Sequence, residues 1–162
     1  MKQQMKRTAL MAGALTALMA FMALNVAAQD SMMKDDKMAG DKMMIDHSKP
    51  TVAIIRADWC TACQKIEPTM NELMTEYKDR LNFVILDVTT DEKTAEAAKT
   101  AHALGISKLF EANKKKTSTV IVLGEKNKVL FKTTYNYDRD AYVRAFDDAV
   151  AKVSSKSMKK QG

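Results

Sequence analysis

The sequence predicts an α/β domain with a mixed four-stranded sheet and flanking helices. Apolar runs rich in β-branched residues alternate with segments whose apolar residues recur every three or four positions, as in buried strands and in helices with one buried face. The pattern reads β-α-β-α-β-β-α and begins near Thr51 of the 162-residue chain. Hydrophobic residues make up 46% and charged residues 28% of the chain, a globular composition that excludes a disordered one.

The first half of the pattern is a β-α-β unit. Thr51–Ala57 (TVAIIRA) and Leu81–Val88 (LNFVILDV) predict strands, and Thr61–Lys78 between them predicts a helix that Pro68 should kink. Apolar residues at 4-3-4 spacing mark the buried face of this helix: Ile66, Met70, Leu73 and Tyr77.

The second half adds a helix, a hairpin and a closing helix. Thr89 or Thr90 can cap a helix that ends at Gly105. Thr117–Leu123 and Val129–Thr134 predict the two strands of the hairpin. The closing helix is expected over Asp138–Val153, and its buried face is spaced by four: Tyr142, Phe146 and Val150.

Residues 1–28 predict a secretory signal that is cleaved after Ala28. Three basic residues precede an uncharged stretch, Thr8–Val26, which is rich in Ala, Leu and Met and ends in small residues. A stretch of this length just spans a bilayer, so the alternative is a retained membrane anchor. Export predicts the periplasm of a Gram-negative bacterium, an oxidising compartment where a disulfide persists.

The predicted mature chain has three parts. Residues 29–50 predict a flexible Met-rich linker, because they contain no aromatic residue, one β-branched residue and many alternating charges. The folded domain is expected over residues 51–154 and a basic C-terminal tail over residues 155–162. Without the signal, 23 basic residues face 20 acidic ones, a net charge of +3 that gives no case for nucleic-acid binding. We expect a monomer that meets a membrane only if the signal is retained.

The two cysteines of the chain, Cys60 and Cys63, form a CxxC motif within the sequence DWCTAC, between the first strand and the first helix. At a helix N-terminus the unpaired N–H groups and the helix dipole favour a thiolate at Cys60. Cys63 lies about one turn further on, close enough to form a disulfide with it. We expect an exposed, activated first sulfur and a more buried second sulfur, which is the arrangement for thiol–disulfide exchange.

The sequence resembles the thioredoxin family from about Thr51 to Val153, through the WCxxC and a proline five residues after the second cysteine. The resemblance implies a thioredoxin-like fold, with Cys60 as nucleophile and Cys63 as resolving thiol. It also implies protein thiols or disulfides as substrates, an unidentified redox partner, and no cofactor besides the redox-active disulfide. Candidate substrate-binding residues are Trp59, Thr61, Ala62, Ser118 and Thr119.

Three departures from the family pattern bear on the site. Ser118 best matches the position where the family has a cis-proline facing the CxxC motif, so we expect altered substrate docking. Ile54 stands where many thioredoxins bury an Asp, so the proton of Cys63 must pass to water or another group. The segment Ser107–Lys116 is longer than the usual link into the third strand and is expected near the CxxC motif.

The first function hypothesis is an exported thiol–disulfide oxidoreductase. The alternative is a periplasmic thioredoxin-like module that handles copper or binds a partner with little turnover, since two thiolates and thioethers suit Cu(I). A purely structural disulfide and a simple spacer role for the linker are the other interpretations. The possible copper ligands of the linker are Met32, Met33, Met38, Met43, Met44 and His47.

Overall fold

The computed structural model describes the backbone of residues 45–160 and the side chains of residues 45–155. The predicted signal and most of the predicted linker therefore lie outside the described residues. The strands are β1 Thr51–Arg56, β2 Asn82–Asp87, β3 Thr119–Leu123 and β4 Val129–Thr134. The helices are α1 Thr61–Tyr77, α2 Asp91–Ala103, α3 Ser107–Asn113 and α4 Arg139–Lys160, with one 3₁₀ turn at Glu125–Asn127 between β3 and β4.

The four strands form one mixed sheet in the order β2-β1-β3-β4. Strand β1 is parallel to β2 and antiparallel to β3, and β4 is antiparallel to β3. In this register Ile55 pairs with Thr119, and Thr119 pairs with Thr134. The end of β1, the start of β3 and the end of β4 therefore lie at the same end of the sheet. The CxxC motif follows β1 there. The predicted mixed four-stranded sheet is confirmed.

The sheet separates two hydrophobic clusters because successive residues of a strand point to opposite faces. Val52 and Ile54 of β1 face the cluster that includes α1 and α4, while Ala53 and Ile55 face the cluster that includes α2 and α3. The predicted helical faces are confirmed, since the residues of the α1 stripe are buried and those of α4 are buried or packed against the same cluster. Edge-to-face contact between Tyr77 and Phe146, with ring centroids 5.3 Å apart, joins the two helices.

Helix α3 was not predicted, because its segment was interpreted as a link into the third strand. Seven residues give too short a pattern for a helical period to be read from the sequence. Burial of Phe110 in the second cluster, alongside Ala97 and Ala101 of α2, accounts for the helix. Strand β3 also begins two residues later than expected, since Ser118 has φ +56° and cannot continue the strand.

Two chain segments differ from their predicted extents. Helix α4 runs to Lys160, beyond the expected end at Val153 and into the predicted tail, 155–162, because no Gly or Pro interrupts the sequence before residue 162. At the other end, residues 45–50 of the predicted linker pack on the domain. The Asn82 side chain accepts a hydrogen bond from the Asp46 N–H (3.2 Å) and donates one to the Asp46 carbonyl (2.8 Å).

Other predicted features agree with the structure. Thr90 caps α2, its hydroxyl accepting from the Lys93 N–H at 3.3 Å, and Gly105 follows the helix with φ +70°. Helix α1 runs from Thr61 to Tyr77 and includes Pro68, so the predicted helix is confirmed, while the kink expected at Pro68 stays a prediction. Within residues 45–160, no helix combines the length and the apolar character needed to cross a bilayer.

Candidate active site

The CxxC motif forms a disulfide at the N-terminus of α1. Cys60 is the N-cap residue in an extended conformation, Cys63 lies in the first turn, and their Cα atoms are 5.2 Å apart. The Cys60 Sγ accepts a hydrogen bond from the Cys63 N–H at 3.1 Å. This N–H has no partner within the helix, so the sulfur of Cys60 takes the place of a capping oxygen. The same contact favours negative charge on this sulfur when the disulfide is reduced.

Both cysteines are buried in the disulfide form, with 6% of Cys60 and 3% of Cys63 exposed. The expectation of an exposed first sulfur is wrong for this form. The S–S bond holds the Cys60 side chain over the first turn of α1, where it packs in a small cluster with Ala57, Ala62 and Val88. The neighbouring Trp59 is 64% exposed, as expected for a residue at the rim of the site.

Thr89 connects the end of β2 to the turn that precedes the cysteines. Its hydroxyl accepts a hydrogen bond from the Asp58 N–H at 2.9 Å, and its carbonyl accepts one from the indole N–H of Trp59 at 3.1 Å. The Thr89 hydroxyl donates in turn to the Asp87 carboxylate, which also accepts from the Thr89 N–H at 2.8 Å. Two consecutive residues before Cys60 are thus fixed by one threonine.

Two cations contact three carboxylates around this turn, and the third carboxylate, that of Glu67, lies 3.7 Å from the Arg56 guanidinium. The Arg56 guanidinium lies 2.9 Å from Asp58 and 3.8 Å from Asp87, and the Lys93 ammonium lies 3.1 Å from Asp87 and 3.4 Å from Asp58. Partial burial raises the pKa of Asp87, but the hydrogen bonds from Thr89 and Lys93 outweigh it and leave that pKa below its ordinary value. The hydrogen bond to Asp87 raises the pKa of Lys93.

The structure places the candidate substrate-binding residues unequally. Thr61 is exposed and Ala62 is half-buried at the start of α1. Ser118 is 2% exposed, and its hydroxyl has no hydrogen-bond partner. Thr119 is fully buried, and its hydroxyl lies 2.6 Å from the Lys116 carbonyl and 2.8 Å from the Thr134 hydroxyl. These two contacts occupy the Thr119 hydroxyl within the fold, and binding of substrate by Thr119 stays a prediction.

The remaining expectations concern Ile54, the α3 segment and the linker. Ile54 is a core residue, so the described structure holds no carboxylate at that position. Two residues of α3 are buried, Phe110 and Asn113. Phe110 lies in the second core cluster, whereas the cysteines form a separate cluster. His47 is exposed, and the possible copper ligands Met32–Met44 lie outside the described residues. Residues 45–155 contain no cluster of three His, Cys, Asp or Glu side chains that could hold a metal.

The sequence does not indicate the hydrogen bonds of Asp87 and Thr89 or the conformation of Tyr135. Thr89 was considered only as a helix cap, a role that Thr90 fills. Tyr135 follows β4 with φ +57° and is exposed. No sequence pattern indicates the hydrogen bonds of Thr89 or the conformation of Tyr135, because both depend on which strand ends lie at the same end of the sheet.

Comparison with known proteins gives one family and several similar proteins. A family model described as Thioredoxin matches residues 19–133. The chain is 43% identical over 44 residues to the chloroplastic thioredoxin-like protein HCF164 of Oryza sativa subsp. japonica, which is 27% of this chain and 17% of that protein. It is 41% identical over 44 residues to the thiol:disulfide interchange protein TxlA homolog of Synechocystis, which is 27% of this chain and 24% of that protein.

Among solved structures, a thioredoxin-like protein in the oxidised form matches 67% of this chain and 85% of its own. Its TM-score is 0.47 and its sequence identity is 16%. The chain spans less than a quarter of the length of the two relatives named above.

Proposed function

The chain belongs to the thioredoxin family, and from this premise we propose that it is an exported thiol–disulfide oxidoreductase acting on protein thiols or disulfides. The observation that carries the proposal is the Cys60–Cys63 disulfide at the start of α1, with the Cys63 N–H directed at the Cys60 sulfur. The similarity to the thiol:disulfide interchange protein of Synechocystis supports the same reaction.

In the reducing direction the Cys60 thiolate attacks one sulfur of a substrate disulfide. An S–S bond forms between Cys60 and the substrate, and the second substrate sulfur leaves as a thiolate. The Cys63 thiolate then attacks the Cys60 sulfur, closes the Cys60–Cys63 disulfide and releases the first substrate sulfur. Two electrons pass to the substrate, and a dithiol reductant must restore the pair. The same steps run backward oxidise a substrate dithiol.

Two structural features support this cycle. The Cα atoms of the cysteines, 5.2 Å apart, lie within the usual range for disulfides, so the pair closes a ring within the first turn of α1. The N–H of Cys63 stabilises negative charge on Cys60 both when this sulfur attacks and when it leaves. Because Ile54 stands at the position where many thioredoxins bury an Asp, we expect water or another group to accept the proton of Cys63.

The assay is reduction of insulin by dithiothreitol, followed by turbidity. We expect the wild-type chain to accelerate it, Cys60→Ser to abolish the acceleration, and Cys63→Ser to accumulate a mixed disulfide that is visible under non-reducing conditions. Equal activity of wild type and Cys60→Ser would refute the proposal. The reduction potential of the Cys60–Cys63 pair then gives the direction of exchange. A value of about −270 mV indicates a reductant, and a value of about −120 mV indicates an oxidant.

Export rests on the sequence of residues 1–28. We propose a periplasmic monomer whose mature chain begins at Gln29. Expression of the full chain in a Gram-negative host, followed by fractionation and N-terminal sequencing, tests this. A protein that stays in the cytoplasm with Met1 retained would refute export and leave the redox proposal standing.

A further inference from the structure

Arg56, the last residue of β1, is the cation that three carboxylates near the disulfide share. Its guanidinium lies 2.9 Å from the carboxylate of Asp58, 3.7 Å from that of Glu67 and 3.8 Å from that of Asp87. These carboxylates come from the turn before Cys60, from α1 and from the end of β2. One guanidinium can contact all three because it carries five N–H donors in a fixed plane. The Arg56 side chain is 27% exposed, so water and salt screen its charge only in part.

The backbone places Arg56 beside the cysteines. The two cysteines pack in one small cluster with Ala57 and Val88. Ala57 directly follows Arg56, and the Val88 N–H donates to the Arg56 carbonyl at 2.8 Å. Glu67, the carboxylate that Arg56 contacts on α1, lies about one helical turn beyond Cys63. The charge of Arg56 and the carboxylates around it therefore adjoin the cluster that contains both sulfurs.

Carboxylates outnumber cations in the two segments that supply this cluster. Residues 56–67 and 87–93 contain three cations and five carboxylates. The cations are Arg56, Lys65 and Lys93, and the carboxylates are those of Asp58, Glu67, Asp87, Asp91 and Glu92. Among the side chains that the structure describes, Lys65, Asp91 and Glu92 are exposed and form no ion pair, as are Lys115 and Lys116 ahead of β3. Exposed charges are strongly screened, so the half-buried Arg56 should have the larger effect on the sulfurs.

We propose that Arg56 is a positioning residue for disulfide exchange, which neutralises three carboxylates beside the cysteines and so keeps the Cys60 thiolate populated at neutral pH. The disulfide is uncharged, whereas its reduction creates negative charge on Cys60. Uncompensated carboxylates nearby would oppose that charge and favour the thiol and the disulfide over the thiolate. Arg56 acts on the sulfur through its charge rather than by contact with the substrate. This inference rests on the proposed function.

Arg56→Gln tests the charge, because glutamine is polar but uncharged. The three carboxylates then lose their common cation, and Lys93 remains near Asp58 and Asp87. We expect the alkylation rate of Cys60 by iodoacetamide at pH 7 to fall about fivefold, and the pH midpoint of that rate to rise by about 0.7 unit. At high pH both proteins hold the thiolate, so the two rates should converge. Mass spectrometry after short pulses across the pH range measures the midpoint.

Two further variants separate charge from structure. Arg56→Lys keeps the charge and should restore most of the rate at pH 7. Arg139→Gln is the matched control, because the Arg139 guanidinium also pairs with α1, lying 2.8 Å from Glu76 and 3.9 Å from Glu72. Those carboxylates lie more than two helical turns beyond Cys63, so Arg139→Gln should leave the midpoint of Cys60 unchanged.

Removal of Glu67 offers an electrostatic rescue. Among the described charged side chains, Glu67 forms an ion pair with Arg56 alone. Glu67→Gln by itself should lower the pH midpoint, since one carboxylate is lost and the arginine remains. The double variant Arg56→Gln/Glu67→Gln has the wild-type net charge, and its midpoint should return close to the wild-type value although the ion pair is gone. If Arg56→Gln does not fold, the shift in Glu67→Gln decides the question, and an unchanged midpoint there would overturn the inference.

The equilibrium with glutathione gives a second readout. Two glutathione thiols become one glutathione disulfide while the Cys60–Cys63 disulfide is reduced to two thiols. At pH 8 and one fixed glutathione ratio, Arg56→Gln should hold about threefold more disulfide relative to dithiol than wild type. A folded Arg56→Gln with the wild-type midpoint would overturn the inference, as would a double variant shifted as far as Arg56→Gln. Failure of the proposed function looks different, because wild type would then not accelerate insulin reduction, whereas alkylation of Cys60 does not depend on that activity.

Discussion

The hydroxyl of Thr89 accepts the backbone N–H of Asp58 at 2.9 Å, and this bond ties the end of β2 to the turn that leads into Cys60. Asp87 receives the proton of the same hydroxyl and so fixes its direction. The conformation of the turn before the reactive cysteine is therefore set by a strand that is distant from it in the sequence.

Thr89→Val should weaken this connection, because Asp58 loses its acceptor while the shape of the side chain is nearly kept. We expect a loss of about 1–2 kcal/mol in the free energy of unfolding, measured in urea. The emission of Trp59, the only tryptophan of the chain, should also shift, since its indole is held by the Thr89 carbonyl. Thr89→Ser, which retains the hydroxyl, is the control, and an equal loss in both variants would show that the methyl group matters instead.

The lowered pKa of Asp87 predicts a pH dependence of stability. Since its pKa is lower in the folded state than in the unfolded state, its carboxylate stabilises the fold above the unfolded value of about 4. That contribution is lost as the pH falls through the folded pKa. Asp87→Asn should therefore be less stable than wild type at pH 7 and lose less stability between pH 5 and pH 2. Asp79→Asn, an exposed position outside this network, should instead follow the wild-type curve.

Cys60 should alkylate faster than Cys63 in the reduced protein at neutral pH. Both residues are similarly buried in the disulfide form, so exposure does not separate them. The reason is electrostatic, since Cys60 receives the Cys63 N–H at the helix N-terminus. Mass spectrometry after a short iodoacetamide pulse measures both sites, and equal or faster labelling of Cys63 would reverse the assignment of the nucleophile.

Ser118 matches the family's proline position, yet its φ of +56° is incompatible with proline. Ser118→Pro should therefore destabilise the protein by about 3 kcal/mol or more, a cost of the size seen for a misplaced proline. Ser118→Gly should be neutral or stabilising by up to about 1 kcal/mol, because it accepts the conformation and removes an unpartnered buried hydroxyl. Thermal unfolding of both variants is the measurement, and a stable Ser118→Pro protein would mean that the loop has a second accessible conformation.

Removal of residues 29–44 from the mature chain should leave folding and disulfide exchange intact. Extending the deletion through Lys49 should lower stability by about 1–2 kcal/mol, because the hydrogen bonds between Asp46 and Asn82 are lost. Asn82→Ala in the intact chain should reproduce most of that loss. Equal stability of the two truncated proteins would contradict the anchoring role of Asp46.

The two deletions also test the copper hypothesis. Each protein is titrated with Cu(I) against a chelator after its cysteines have been blocked. Copper bound by the full mature chain and lost from the shorter deletion would support the methionines as ligands, since thioethers prefer Cu(I). Equal binding would support the spacer interpretation.

Local patterns determined most of the fold. The apolar spacing along α1, the Thr90 cap and the glycine after α2 are each specified by residues within a few positions of one another, so they are legible in the sequence. The CxxC motif is legible for the same reason, because its disulfide closes within one turn of α1. Seven residues were too few to predict α3, whose stability depends on burying Phe110 against another helix.

The surroundings of the disulfide were decided by tertiary structure alone. Thr89, Ser118 and Tyr135 come from three separate segments. Parallel pairing of β1 with β2 and antiparallel pairing of β1 with β3 place all three at the same end of the sheet, where the Tyr135 N–H donates to the Ser118 carbonyl. Thr119, a candidate substrate-binding residue in the sequence, is fully buried at this end of the sheet, and its hydroxyl lies 2.8 Å from that of Thr134. A sequence shows which side chains lie near a motif. Strand register decides which of their polar groups are hydrogen-bonded within the fold and which side chains stay exposed.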